Sequence, residues 1–294
     1  MHWCNDQQRT SRKKLVNART NMRTVTTTNN KRRVIIRRSL ILVAFSMLVF
    51  LATVRAGRSV GASPEPAVKN VVLVHGAFAD GSSYSRVIPL LEAKGLHVTA
   101  VQNPLTSLAD DVAATRRAID SQNGPVILVG HSWAGMVISD AGNDPKVAAL
   151  VYIAALVPDD GQSSTDVVKP YPPSPGLAEA KPDTAGFLSL SRKGVDEDFV
   201  PDIPAAQRAI VYATQGPWNS AALADKVADP AWKTKPSWYI AVNDRMLPPE
   251  YEQAIAKHIH ATTTSIAAGH VPMLSKPREV ADVIVDAANK TSQH

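Results

Sequence analysis

The stretch Val126-Ile127-Leu128-Val129-Gly130-His131-Ser132-Trp133-Ala134-Gly135 decides the fold. Four consecutive apolar residues read as a strand buried on both faces. The run breaks at Gly130, and Trp133–Asp140 then carries a helical pattern. A strand that passes through a tight turn directly into a helix is the building unit of a parallel sheet covered by helices. Ser132 sits at the turn. Such a turn holds a serine Oγ above the C-terminal edge of the sheet, and it crowds the backbone, so small residues are needed two positions before and two after. Gly130 meets the first demand. Ala134 stands at the second, one methyl larger than the strict G-x-S-x-G pattern. A serine N-cap at an ordinary strand–helix turn has the same local appearance, so the rest of the chain must decide what Ser132 does.

Outward from this stretch, short apolar runs alternate with helical patterns. Strands are expected at Val71–Val74, His97–Val101, Val126–Val129, Val147–Ala154, Pro236–Val242 and Thr262–Ala267. Helices are expected at Ser83–Lys94, Ser107–Ser121, Trp133–Asp140, Pro248–His258 and Pro277–Ala288. Ser107 and Asp110 stand in capping-box spacing, and Pro277 sits at a helix start, where its missing N–H costs nothing. The alternation predicts an α/β fold with a mostly parallel, doubly wound sheet. Residues 158–204 interrupt it with 8 of the 21 prolines. That stretch is not expected to form sheet. It reads as a cap insertion over one end of the domain, continuing through a helix near Ala205–Ala213 to about Lys233.

Three more features fall at predicted strand ends. Val74-His75-Gly76-Ala77-Phe78 closes the first strong strand. Acyl transfer through a tetrahedral intermediate needs two N–H donors aimed at the developing oxyanion. Ala77 and Trp133 are the expected pair, with Phe78 the alternative to Ala77. His270, in Ala268-Gly269-His270-Val271-Pro272-Met273, follows the last strand. Parallel strands all end on one side, so His270 shares an edge with Ser132 and is the expected general base. Of the other histidines, His97 starts a strand, His258 and His260 look solvated, and His131, next to Ser132, should pack away from Oγ. His75 and His294 complete the set beyond the leader. Asp244, in Asn243-Asp244-Arg245, follows the strand before the last and is the expected partner of His270, ahead of Asp225 and Asp229 in the insertion. The order Ser132, Asp244, His270 suits a serine nucleophile on such a sheet. Phe78, Trp133, Tyr171, Phe187, Phe199 and Trp218 are candidates for an apolar pocket.

These motifs carry a resemblance. From Asn70 to about Ala288 the chain resembles an α/β-hydrolase. Val-His-Gly-Ala, Gly-His-Ser-Trp-Ala-Gly, Tyr-Ile-Ala-Ala-Leu-Val-Pro-Asp and His-Val-Pro-Met-Leu together are similar to the branch containing plant methylesterases and hydroxynitrile lyases and their bacterial relatives. The resemblance implies the α/β-hydrolase fold, a Ser132–Asp244–His270 triad and a small cap over the pocket. The expected chemistry is hydrolysis of a small-molecule ester through an acyl-enzyme, with no cofactor and no metal. Within the branch the lyases carry a Lys directly after the catalytic His and a Thr in place of the Gly of His-Gly. Here those positions are Val271 and Gly76, which favours the esterase reading. A lyase, a cofactor-free oxygenase, a non-catalytic ligand-binding module and a surface-tethered structural role are the rival classes, and fold alone does not choose between reactions.

The chain has 294 residues, 45% hydrophobic and 20% charged, with a net charge of +6. That charge is unevenly spread. Residues 1–62 hold 13 Lys/Arg against one acid, and residues 63–294 hold 19 against 25. The folded part is therefore acidic, which removes the electrostatic motive for nucleic-acid binding. Leu40–Val54 is uncharged and apolar over 15 residues, short of the roughly 20 that span a bilayer. With the basic stretch before it, residues 1–62 read as an export signal and leader, giving a periplasmic or extracellular domain at 63–294. Cleavage is expected after Val60-Gly61-Ala62, with Val54-Arg55-Ala56 as the second site. Arg32-Arg33 resembles a twin-arginine signal, although Lys31 stands where Ser or Thr is usual. A start at Met22 would also account for the leader's length, and an uncleaved leader would anchor the chain through residues 40–54, its only expected membrane contact. Cys4 is the sole cysteine, so no intramolecular disulfide or cysteine-rich zinc site is available. The sequence leaves the oligomeric state open.

Overall fold

The computed structural model describes residues 67–291. The leader, with both cleavage sites, Arg32-Arg33, Met22, Cys4 and the apolar run, lies outside the described residues, as does His294. Six strands form one sheet: β1 Asn70–Val74, β2 His97–Ala100, β3 Val126–His131, β4 Val147–Ile153, β5 Ser237–Val242 and β6 Thr262–Ile266. Their order is β6-β5-β4-β3-β1-β2, and every pairing is parallel. β1, β3 and β5 are buried at every residue, and β4 at all but one. That burial is why they appear in the sequence as unbroken apolar runs. The edge strands β2 and β6 are largely uncovered, and β6 is accordingly mostly threonine and serine.

The helices include α1 Ile88–Glu92, α2 Leu108–Asp120, α3 Ala134–Ala141, α4 Ala205–Thr214, α5 Pro249–His258 and α6 Pro277–Lys290. α1 packs with α6, and α2 packs with α3. Right-handed crossovers account for this. The chain leaves β1 for β2 on one side, then returns to β3 on the other, so the two connecting helices must fall on opposite faces. The reversal leaves a crevice where the C-terminal ends of β1 and β3 diverge. His75–Phe78 and Ser132 emerge there.

Two expectations about helices change. The helix expected over Ser83–Lys94 is a single 3₁₀ turn, Gly81–Tyr84, followed by the short α1. Pro89 at the second position of α1 can only stand in a first turn, so the helix starts at Ile88. At α2, Ser107 Oγ accepts the Asp110 N–H, but the Asp110 carboxylate accepts from the Thr106 and Ser107 hydroxyls instead of the cap's own N–H. The reciprocal capping box occurs at Ser163 and Asp166.

The insertion corrects a third expectation, because it contains sheet. Ala180–Pro182, Phe187–Leu190 and Trp218–Asn219 form a three-stranded antiparallel sheet, and Gln162–Ser163 pairs with Lys226–Val227. Strands of two to four residues are too short to display an alternating pattern. Their turn is set by Asp183, whose carboxylate accepts the Ala185 and Phe187 N–H groups. The proline-dense run Pro170–Pro175 stays outside this sheet and leads into a single helical turn, Pro175–Ala178. α4 forms where a helix was expected. Among the described residues, no helix is long and apolar enough to cross a membrane.

Candidate active site

Ser132 occupies the turn between β3 and α3 with φ of 56°. That left-handed backbone is costly for a residue with a side chain. Three hydrogen bonds hold it. The Ser132 N–H donates to the Ile153 carbonyl, and the Ser132 carbonyl accepts from Gly135 and Leu156. The turn leaves no room for a β-carbon at Gly135, where one would run into the Leu156 carbonyl, or at Gly130, where it would lie 2.7 Å from the Ala134 carbonyl. The smallness requirement after the serine therefore falls on Gly135, and Ala134 fits.

The structure brings Ser132, His270 and Asp244 into one hydrogen-bonded chain. His270 Nε2 is 2.8 Å from Ser132 Oγ, and His270 Nδ1 is 2.5 Å from Asp244 Oδ2. His270 and Asp244 are almost wholly buried. Asp244 Oδ1 accepts the Met246 N–H at 2.6 Å, which fixes the carboxylate at the end of β5. His131, which the sequence only set aside, supports His270. Its Nε2 donates to the His270 carbonyl at 2.8 Å, and the two rings lie 4.7 Å apart. Burial, followed by the neighbouring His270, pushes the His131 imidazole well below its ordinary value, so it acts as a neutral donor.

The loop after β1 is held from behind. His75 Nδ1 donates to the Gly76 carbonyl at 2.9 Å, and its Nε2 accepts the Asn103 N–H at 2.9 Å. Burial lowers its pKa, consistent with the neutral ring these bonds require. Across the crevice, Trp133 Nε1 donates to Asp111 at 2.8 Å, and the other Asp111 oxygen accepts the Leu105 N–H. Burial pushes Asp111 up to about 6. Among the described residues, the N–H groups of Ala77, Phe78 and Trp133 are engaged by no carbonyl or side chain. These three residues line, together with Ser132, a cavity of about 190 Å³.

That cavity is apolar, with Leu156, Val168, Trp218 and Leu247 on its sides, and no charged side chain lines it. Of the aromatic candidates, Phe78, Trp133 and Trp218 line it. Phe199 packs edge-on to Phe78 and against the His270 ring. A second cavity, of about 170 Å³, shares Phe78 in its lining and has Phe199, Val271 and α4 in its wall. Tyr171 and Phe187 line neither cavity.

The remaining candidates are accounted for elsewhere. Asp225 accepts the Leu108 N–H at the start of α2, and the Asp229 carbonyl accepts from Asn143. His258 pairs with Asp159 at the surface. No group of three or more His, Cys, Asp or Glu side chains among the described residues is placed to hold a metal. The sequence missed the cap's grip on the site. Asp202 accepts the Gly269 N–H at 2.8 Å, and Asp198 pairs with Arg245 at 2.6 Å. It also missed the buried Glu252. These contacts join segments far apart in the chain, and no local pattern announces them.

The sequence model described as the alpha/beta hydrolase family matches residues 71–283. The pyrethroid hydrolase of Sphingobium wenxiniae is 28% identical over 264 residues, covering 77% of this chain and 90% of that one. The polyneuridine aldehyde esterase of Rauvolfia serpentina is 25% identical over 258 residues, covering 75% and 96%. A crystal structure of polyneuridine aldehyde esterase has the same fold, with a TM-score of 0.67 over 74% of this chain and 98% of that one at 23% identity.

Proposed function

The chain belongs to the alpha/beta hydrolase family and is an esterase-type hydrolase, and from that premise we propose that it is a serine esterase cleaving small, uncharged, apolar carboxylic esters through Ser132, His270 and Asp244. The observation that carries this reading is the unbroken chain of hydrogen bonds from Ser132 Oγ through the His270 ring to Asp244, ending at a cavity with unengaged N–H groups.

The chemistry follows from the geometry. Asp244 accepts from His270 Nδ1, which leaves Nε2 as the acceptor for the Ser132 proton. As Oγ attacks the ester carbonyl, its proton passes to Nε2, and the carbonyl oxygen becomes an oxyanion that takes the N–H groups of Ala77 and Trp133. His270 then returns the proton to the leaving alkoxide, and the acyl group stays on Ser132. Water then attacks this ester while His270 takes its proton, the acyl–Oγ bond breaks, and His270 returns the proton to Ser132 Oγ as the acid leaves. No organic cofactor or metal enters any step.

Hydrolysis is favoured over cyanide release by two positions. Val271, buried after His270, offers no ammonium to a leaving anion. A β-carbon at Gly76 would stand 2.7 Å from Ser132 Cβ, so the larger side chain of the lyases would displace the serine. The absence of charge around the cavity argues for an uncharged substrate, because a charged group entering it would lose its hydration without a partner. Residues 1–62 are proposed to export this domain.

Ser132→Ala should lower kcat for a short-chain p-nitrophenyl ester by roughly 10⁴-fold or more and leave the thermal melt unchanged. Retention of full activity by the folded variant would overturn the assignment.

A further inference from the structure

Glu252 is a fully buried carboxyl that the reaction above does not use. It lies in the first turn of α5 and reaches to the end of β5, where Oε2 accepts the Val242 N–H at 3.0 Å. Oε1 is buried and has no hydrogen-bond partner, and the Val242 N–H that holds Oε2 lies two residues before Asp244, which places the Glu252 and Asp244 carboxyls side by side at the end of β5. Asp244 uses Oδ1 on the Met246 N–H and Oδ2 on His270. Two carboxyl groups brought together away from water repel too strongly for both to be ionised, and a shared proton resolves the contact.

The other groups around Glu252 supply no counter-charge. Among the described residues, the buried phenols of Tyr239 in β5 and Tyr251 in α5 are the other titratable groups that feel the Glu252 charge. The Tyr239 hydroxyl donates to the Ala155 carbonyl, and the Tyr251 hydroxyl accepts the Val157 N–H. Arg245, beside Asp244 in sequence, is tied to Asp198.

We propose that Glu252 carries a proton in the working enzyme and donates it as a hydrogen bond to Asp244, making Glu252 a positioning residue that fixes the Asp244 carboxylate against His270. The inference rests on the catalytic reading of Asp244 and His270 given above. Burial, with the Asp244 charge second, pushes the Glu252 carboxyl up to about 10, in keeping with a neutral group through the physiological range.

Glu252→Gln and Glu252→Leu test it. Gln keeps an oxygen for the Val242 N–H and an N–H for Asp244, whereas Leu keeps neither. Leu should cut kcat by about 10- to 100-fold, the loss of one oriented hydrogen bond, with KM within about twofold. Gln should recover most of that loss. In Gln the acidic limb of the kcat/KM profile should stay where it is in the wild type, because no charge has been removed. A downward move of that limb by about one pH unit would mean that a negative charge had been deleted beside His270, and would overturn the proposal.

A second readout needs no activity. Unfolded, Glu252 releases its proton near pH 4.3. Folded, it keeps the proton far above that, so the native state binds more protons than the unfolded chain throughout the interval. The wild type therefore loses stability as pH rises through it, and Glu252→Gln does not lose that share. The Tm of the Gln variant should pull ahead of wild type progressively from about pH 5 to about pH 9. A constant gap would overturn the proposal even if Leu failed to fold. A widening gap in a protein without esterase activity would keep the buried proton and sink the catalytic reading instead.

Discussion

At the scale of single residues, the site depends on how closely two loops approach. Ser132 accepts a left-handed backbone, and Gly76 lies so near that any β-carbon there would stand 2.7 Å from both the His131 carbonyl and Ser132 Cβ. The neighbours are backbone and a strained turn and cannot yield cheaply. Gly76→Ala should cost about 1–3 kcal/mol of stability, as overpacking does, read by urea denaturation, and esterase activity should fall with the displaced serine. Unchanged stability and activity would show that the loop has slack. Ser132 and Gly76 were legible in the sequence because tight turns have local chemistry. Asp111 and Glu252 were not. Each looks like an ordinary helix carboxylate until the fold carries it inward, Asp111 to the Trp133 indole and Glu252 to the end of β5.

At the scale of elements, the cap is fastened to both loops that carry Asp244 and His270. Asp202 takes the Gly269 N–H directly before His270. Asp198 pairs with Arg245 directly after Asp244, and the Gly176 N–H donates to the Arg245 carbonyl. The cap thus bears on the positions of His270 and Asp244 as well as on the shape of the cavity. Asp202→Ala frees one backbone N–H at the base's loop. Its expected effect is a fall in kcat of about tenfold, equivalent to one lost hydrogen bond, with Tm lowered by no more than a few degrees. A variant with wild-type kcat would confine the cap's role to covering the pocket. The six core strands were legible because buried parallel strands appear as continuous apolar runs. The small cap sheet was not, because its strands of two to four residues are specified by pairing partners as distant as Leu188 and Trp218.

At the scale of the whole molecule, the common direction of the strands gathers the C-terminal ends of β1, β3, β5 and β6 on one edge, and the reversal of strand order at β1 opens the crevice there. Residues separated by as many as 139 positions meet there. The order Ser132, Asp244, His270 was legible because parallel strands must all end on that side, whereas the distances between the side chains follow only from packing. Every strand of the sheet lies between Asn70 and Ile266, so cleavage after Ala62 would leave the hydrolase intact. N-terminal sequencing of the protein recovered outside the cytoplasm should begin at Ser63, and recovery of the full leader on an exported chain would mean that it serves as an anchor. The most direct measurement of the central claim is covalent labelling of the intact protein with a fluorophosphonate, followed by peptide mass mapping. The account predicts one adduct per chain, on Ser132, formed in step with loss of esterase activity and absent from Ser132→Ala. Activity that persists with Ser132 fully labelled, or an inactivating adduct on another residue, would contradict it.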